Sequence, residues 1–145
     1  MPQRKQPAPS SSSLETFANP RIGREYQIVI EAPEFTCICP KTGHPDFATM
    51  RLAYVPNEKC IELKSYKLYI HGWRNVGIFH EEVTNRIADD LVRALQPAWL
   101  SMDGEFHAHG GITTSVHVEY DENDPEAFAS ATSPDKPATK VKRRK

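Results

Sequence analysis

The chain has 145 residues, a formal net charge of -1 and 39% hydrophobic residues, and its length suggests one domain. No stretch approaches the roughly 20 apolar residues needed to cross a bilayer, and no apolar segment follows the basic start as it does in a secretory signal. Three cysteines without a framework spacing argue against disulfides, so we expect a cytoplasmic protein with no membrane partner.

Both ends of the sequence are poor in apolar residues. Such segments do not bury enough apolar surface to offset the entropy lost on ordering. We therefore predict a disordered N-terminal tail over residues 1–21, one folded domain over 22–120 and a disordered C-terminal tail over 121–145. The basic run at 140–145 is interpreted as a solubilising end, with contact to nucleic acid as the alternative.

The predicted elements begin with a strand over residues 25–31, where apolar residues alternate with polar ones. Residues 33–46 contain three prolines and Gly43, and they are predicted to form a loop. A second strand follows over 47–55. Its alternation puts three residues on one face: Met50, Leu52 and Tyr54.

The apolar spacing then changes from two to three or four, which indicates helices. A first helix is expected to present one apolar face, formed by Leu63, Tyr66, Ile70 and Trp73. A second helix is predicted from about His80 to Leu95, with Glu81 in a first turn that favours negative charge and Pro97 after its end. Its apolar stripe consists of Val83, Ile87, Leu91 and Leu95.

Two more strands are predicted over residues 99–107 and 112–120, connected near Gly110 and Gly111. The order ββααββ indicates an α+β fold, in which a four-stranded antiparallel sheet is covered on one face by two helices. Because the folded part is small for a domain with its own core, we expect oligomerisation to bury further surface.

Cys39 is the first candidate for chemistry. It stands in the predicted loop beside Lys41, a position that can expose a thiol and lower its pKa. A simply buried thiol is the alternative. Cys37 and Cys60 are interpreted as structural.

The patterns typical of metal sites are incomplete. Cys37 and Cys39 are separated by one residue rather than two, and no second cysteine pair exists. His80 starts a zincin-like helix, but Thr84 stands where the second histidine is required. His107 and His109 are compatible with a shared metal ion or with a surface hairpin pair. We therefore predict no metal site.

The sequence lacks both the dinucleotide-binding glycine motif and a phosphate loop. A nucleotide cofactor would have to bind through basic side chains instead. Lys64 and Lys67 are neighbours on the predicted helix, and Arg74 follows shortly after. An ordinary solvated face is the alternative for these three residues.

Three motifs in order resemble one family. They are CPKTGHPDF at 39–47, ELKSYKLY at 62–69 and FHE at 79–81. Together they resemble the queuosine-pathway nitrile reductases in their short, single-domain form, over roughly residues 25–120. His44 departs from the family pattern, which usually has Gln there, and the two tails are not part of the shared pattern.

The resemblance implies the tunnelling fold, shared with pterin-making enzymes, in which subunits assemble into rings or barrels with active sites at subunit interfaces. It implies NADPH as cofactor and 7-cyano-7-deazaguanine as substrate. The nitrile would be reduced to the 7-aminomethyl compound, a precursor of a modified tRNA nucleoside. Direct binding of tRNA is not expected.

The resemblance also implies roles for individual residues. Cys39 would add to the nitrile to form a thioimide, and Asp46 would donate the proton; a turn residue is the alternative for Asp46. Glu81, otherwise a first-turn helix charge, would bind the guanine-like edge together with His80. The base pocket would be lined by Ile61, Glu62 and Leu63. The NADPH phosphates would be bound by Lys64, Lys67 and Arg74.

Two rival functions remain open at this point. One is a zinc-dependent pterin or deazapurine enzyme on the same fold, with hydrolase or lyase chemistry. Metal analysis of the purified protein would then find stoichiometric zinc that is required for activity. The other is a non-enzymatic nucleic-acid-binding module that relies on the basic end. Deleting residues 121–145 would abolish the function of such a module but not the reduction of a small nitrile.

Overall fold

Four long strands form one antiparallel sheet in the computed structural model, which describes residues 7–129. In chain order the strands of this part are β1 (Thr16–Ala18), β2 (Ile28–Ile38), β3 (Pro45–Val55), β4 (Lys59–Ile61), β5 (Trp99–His109) and β6 (Ile112–Asp121). The α-helices are α1 (Leu63–His71), α2 (His80–Leu95) and α3 (Pro125–Ala129). The large sheet has the order β2-β3-β5-β6, and β1 pairs with β4 in a second, small sheet.

The core lies between one face of the large sheet and the helices α1 and α2. Alternate residues of β3 and β5 are buried there, including Met50, Leu52, Tyr54, Leu100 and Met102. Full burial of an aliphatic side chain of this size contributes roughly 1.5–3 kcal/mol. The predicted α+β class with its ββααββ order is confirmed, and the three residues predicted to share a face of β3 do so.

Helix α2 has the predicted bounds, and its apolar stripe is fully buried. Its last turn is closed by Gln96, whose left-handed backbone (φ 47°) lets its N–H donate to the carbonyl of Val92. Pro97 then prevents further helix. Within residues 7–129, no helix combines the length and the apolar character that crossing a bilayer requires.

The loop predicted over residues 33–46 is wrong for most of its length. Strand β2 continues to Ile38, and its pairing with β3 shifts register between Ala32 and Phe35. This bulge accommodates Pro33, which has no N–H to donate to the ladder. Strand β3 in turn starts early, at Pro45, so the connection between the two strands is reduced to residues 39–44.

The predicted apolar face of α1 is corrected at both ends. Leu63 is the first helical residue and is 61% exposed, because the buried face begins two residues later with Ser65 and Tyr66. The helix ends at His71, so Trp73 lies in the turn that follows the helix, and its side chain is buried there.

The disordered tails predicted for 1–21 and 121–145 are corrected where the structure describes them. A 3-10 turn at Ser11–Ser13 leads to Leu14, which is buried in the core, and β1 pairs with β4. In the other tail, Phe128 of α3 packs edge-on against Tyr120, with ring centroids 5.4 Å apart. The composition of a segment does not reveal that one apolar residue anchors it to the core. Residues 1–6 and 130–145, including the basic run, lie outside the described residues.

Candidate active site

The loop between β2 and β3 is a tight turn that presents Cys39. The Cys39 N–H donates to the carbonyl of His44 at 2.9 Å, and the Gly43 N–H donates to the carbonyl of Cys39 at 2.9 Å. Gly43 has φ 71°, a backbone conformation that glycine adopts without steric cost. The two hydrogen bonds fix the position of the cysteine at the end of β2.

The pKa of the Cys39 thiol is lowered, chiefly by a hydrogen bond from the Thr42 side chain. Backbone hydrogen bonds from Thr42 and Lys41 add to this effect, while burial and the charge of Asp46 oppose it. The lowered pKa expected from the sequence is therefore present, but Lys41 contributes its backbone rather than its charge. A lowered pKa increases the share of the nucleophilic thiolate near neutral pH.

The other two cysteines have a different character. Cys37 and Cys60 are buried and neither forms a disulfide. Burial, reinforced by the charge of Asp46, raises the pKa of the Cys37 thiol to about 12. Its sulfur lies 3.9 Å from the carbonyl oxygen of Ile78. Both cysteines occupy the structural positions expected from the sequence.

Asp46 is buried on the core side of β3, directly across from Cys37 in the strand register. It therefore lies on a strand and not in the loop where the sequence argument put it, and it is not the turn residue of the alternative interpretation. Two imidazoles hold its carboxylate. Nε2 of His80 is 3.1 Å from Oδ2, and Nε2 of His109 is 2.7 Å from Oδ1.

The start of α2 is attached to the end of β2, beside Cys39. The Ile38 N–H donates to the carbonyl of Val76, and the Ile78 N–H donates to the carbonyl of Ile38. His80, the first residue of α2, then stacks on Phe106 with ring centroids 3.8 Å apart and an angle of 10° between the planes. These contacts bring the motifs at 39–47 and 79–81 together.

Glu81 follows His80 in the first turn of α2 and is exposed. Its backbone carbonyl accepts a hydrogen bond from the Asn85 side chain at 2.8 Å. The carboxylate is thus accessible at the helix end that carries His80, where an anion is also favoured by the helix dipole.

The residues 61–63 connect β4 to the start of α1. Glu62 caps α1, accepting hydrogen bonds from the N–H groups of Lys64 at 3.0 Å and Ser65 at 2.6 Å, with the result that its pKa is lowered. Ile61 is buried and Leu63 exposed. No hydrogen bond or ion pair within residues 7–129 joins these three to Cys39, Asp46 or His80.

Lys64, Lys67 and Arg74 are all exposed, two on α1 and one in the turn after it. None of them has a carboxylate partner among the ion pairs of the described chain. Cations without such partners suit the phosphates of a dinucleotide, so the side chains fit an NADPH role chemically. No hydrogen bond or ion pair within the described range 7–129 joins them to Cys39.

The contact of His109 with Asp46 was not foreseen; the sequence suggested only a surface pair or a metal site with His107. The pairing register of β3 and β5 indicates this contact. Ala48 pairs with Phe106 in antiparallel β3 and β5, so residues just before Ala48 approach residues just after Phe106. No cluster of three or more His, Cys, Asp or Glu side chains in residues 7–129 is arranged to hold a metal ion.

The sequence is similar to those of known proteins. A family profile described as "QueF-like protein" matches residues 45–125. The NADPH-dependent 7-cyano-7-deazaguanine reductase of Anaeromyxobacter sp. (strain K) is 57% identical over 116 residues, which cover 80% of this chain and 95% of that protein. The protein of the same name from Thiobacillus denitrificans is 54% identical over 114 residues, covering 79% and 82% of the two chains.

A solved structure shares the fold. It is the crystal structure of the archaeosine synthase QueF-Like in the apo form, with a TM-score of 0.59 and 16% sequence identity over 68% of this chain and 95% of the other. At that identity the likeness concerns the fold alone. The family profile and the close relatives decide the assignment: the chain belongs to the QueF-like family of 7-cyano-7-deazaguanine reductases.

Proposed function

We propose that this protein reduces the nitrile of 7-cyano-7-deazaguanine to 7-aminomethyl-7-deazaguanine with NADPH, a step of queuosine biosynthesis. The observation that carries this proposal is the Cys39 thiol of lowered pKa, placed just past the end of the strand that pairs with the buried Asp46. The names of relatives more than 50% identical support the substrate and the cofactor.

The first step is addition of the Cys39 thiolate to the nitrile carbon. A carbon–sulfur bond forms, one carbon–nitrogen π bond breaks, and the nitrogen takes a proton to give a covalent thioimide. A thiolate suits this step because it attacks well near neutral pH. It also leaves well once the carbon has been reduced, which frees the cysteine for the next turnover.

Asp46 is the proposed donor of the proton to the nitrile nitrogen. This role requires Asp46 to carry a proton when the nitrile is bound. The two imidazoles hold its carboxyl in one orientation, and a positioned acid of this kind typically contributes about 10²–10⁴-fold to the rate. His80 is itself held by stacking on Phe106.

NADPH supplies the hydrides when bound. We assign its phosphates to Lys64, Lys67 and Arg74, whose side chains are exposed and have no ion-pair partners in the described part of the chain. Arg and Lys are suited to phosphate oxygens because they donate several charge-assisted hydrogen bonds.

The deazaguanine ring is assigned to Glu81 and His80 at the start of α2. The Glu81 carboxylate can accept two hydrogen bonds, one from the 2-amino group and one from the ring N–H. Such a site rejects analogues that lack these donors by large factors.

We further propose that the protein is a homo-oligomer with active sites between subunits. In a single chain, Ile61, Glu62 and Leu63 make no hydrogen bond or ion pair with the Cys39 group, so a neighbouring subunit would bring them to it. Three large apolar side chains on β1 and α1 are exposed: Phe17, Leu63 and Leu68, at 52%, 61% and 61%. Burying these side chains against a second subunit would favour association. We place the enzyme in the cytoplasm and expect it not to bind tRNA directly.

The proposal is tested by following NADPH oxidation with the purified full-length protein and 7-cyano-7-deazaguanine. Two NADPH should be consumed for each aminomethyl product detected by mass spectrometry. Glu81→Gln should raise KM strongly, because the amide accepts only one of the two hydrogen bonds. The proposal would be contradicted if the nitrile caused no NADPH oxidation. It would also be contradicted if the protein bound one zinc ion per chain and lost its activity when that zinc was removed.

A further inference from the structure

The carboxylate of Asp46 has two imidazole partners, one on each oxygen, and they differ in their access to water. The His80 side chain is 20% exposed and lies against Phe106. The His109 side chain is 55% exposed and stands at the end of β5, just before the turn formed by Gly110 and Gly111. Asp46 itself is only 4% exposed.

This difference matters for the proposed function, on which the inference rests. Reduction of a nitrile to an amine adds two hydrides and two protons, and the protons come from solvent. An acid that gives a proton to the substrate must therefore be reloaded in every turnover. Asp46 is buried, so water has little direct access to it.

We propose that His109 is the relay that returns protons from solvent to Asp46. When Asp46 has given its proton to the substrate nitrogen, the His109 imidazolium donates its Nε2 proton to Oδ1, and the neutral ring is reprotonated by water. Imidazole is suited to this task because its ordinary pKa lies near neutral pH. His109 acts through Asp46, so it is a positioning residue and not a catalytic one.

The groups that titrate around Asp46 come from four elements. They are Cys37 on β2, Cys39 in the loop that follows, His80 on α2 and His109 on β5. Only His109 among them is more than half exposed. A purely structural alternative exists, in which His109 does no more than pair with a buried carboxylate.

His109→Gln separates the relay from the structural alternative. Its amide N–H can still donate to Asp46, but it cannot carry a proton. His107→Gln is the matched control, because His107 lies on the same strand end, is exposed and contacts Phe47 with ring centroids 6.5 Å apart. Within the described residues the histidines that pair with Asp46 are His80 and His109. Both variants are made in the full-length protein.

Two measurements are taken for each variant: formation of the Cys39 adduct with the nitrile in the absence of NADPH, and steady-state turnover across pH. We expect His109→Gln to form the adduct as the unaltered protein does, because the first proton is already on Asp46. Its turnover should fall by about 10-fold or more, with a changed pH profile, and added imidazole should restore part of it. His107→Gln should match the unaltered protein.

Unchanged turnover of His109→Gln would overturn the relay. So would an equal loss in adduct formation and turnover that imidazole does not restore, since that pattern belongs to a structural role. Failure of the unaltered protein to form any adduct would instead remove the proposed function, and the relay with it.

Discussion

Cys37 and Cys39 are two residues apart, yet the pKa values of their thiols are shifted in opposite directions. Cys37 is enclosed in the core, and burial raises its pKa to about 12. Cys39 lies just past the end of β2, where hydrogen bonds from Thr42 and its neighbouring backbone lower its pKa. Only Ile38 separates the two thiols, and we expect Cys39 to be the more reactive of them because the thiolate is the nucleophilic form.

The first prediction concerns selective alkylation. Near neutral pH, iodoacetamide should modify Cys39 and leave Cys37 and Cys60 unmodified in the folded protein, as read by peptide mass mapping. Thr42→Val removes the main hydrogen bond that lowers the Cys39 pKa, so the midpoint of the alkylation profile should move to higher pH, with a roughly severalfold slower reaction at neutral pH. Thr42→Ser keeps the hydroxyl and should restore the original profile. A profile unaffected by Thr42→Val would contradict the assigned cause.

The second prediction concerns Asp46 as the acid. Asp46→Asn keeps the size of the side chain and its capacity to pair with His80 and His109, but it cannot release a proton. Turnover should fall by about 10²-fold or more, as loss of a general acid usually causes. Asp103→Asn is the matched control, since Asp103 also pairs with a histidine, His117 Nδ1 at 2.5 Å, on another part of the sheet. Near-normal turnover of Asp46→Asn would refute the role.

The third prediction concerns the close packing of β5 on α2. A Cβ atom added at Gly104 would lie 2.7 Å from Oγ1 of Thr84, which is itself fixed by donating to the carbonyl of His80 at 2.8 Å. Gly104→Ala should therefore lower the free energy of unfolding by about 1–3 kcal/mol. Gly77→Ala adds the same methyl group where no atom lies within 4 Å. Denaturant titrations should show a much smaller effect for Gly77→Ala, and equal effects would show that packing at Gly104 is not limiting.

The fourth prediction compares two buried tyrosines of α1. The Tyr69 hydroxyl donates to Oδ2 of Asp90 at 2.5 Å, whereas the Tyr66 hydroxyl has no hydrogen-bond partner within the described residues. Tyr69→Phe should cost about 1–3 kcal/mol of unfolding free energy, because it removes a hydrogen bond to a carboxylate. Tyr66→Phe should leave stability unchanged or raise it, since it removes a buried polar atom without a partner. Thermal unfolding of both variants side by side provides the measurement, and a larger loss for Tyr66→Phe would reverse this assignment.

The parts of the fold that could be predicted depend on periodic patterns. Helix α2 has an uninterrupted apolar stripe, carboxylates in its first turn and a proline after its end, so its bounds followed from the sequence. Strand β3 shows the same consistency between alternation and burial. In both elements local propensity and core packing favour the same structure.

The remaining features depend on tertiary contacts that no local pattern reveals. The bulge after Ala32 lets β2 continue past a proline. Leu14 packs into a core that is formed mainly by residues far from it in the sequence. Cys39, Asp46 and His80 could be named from motifs, but their mutual geometry could not. The contact of His109 with Asp46 requires the register of β3 and β5, which is set by the whole sheet.

The central claim is that the sulfur of Cys39 bonds to the nitrile carbon. The most direct test is intact-mass measurement after incubating the protein with 7-cyano-7-deazaguanine in the absence of NADPH. We expect a mass increase equal to one substrate molecule per chain, present in Cys60→Ala and absent in Cys39→Ala. An adduct that persists in Cys39→Ala, or a Cys39→Ala protein that still oxidises NADPH with the nitrile, would contradict the account.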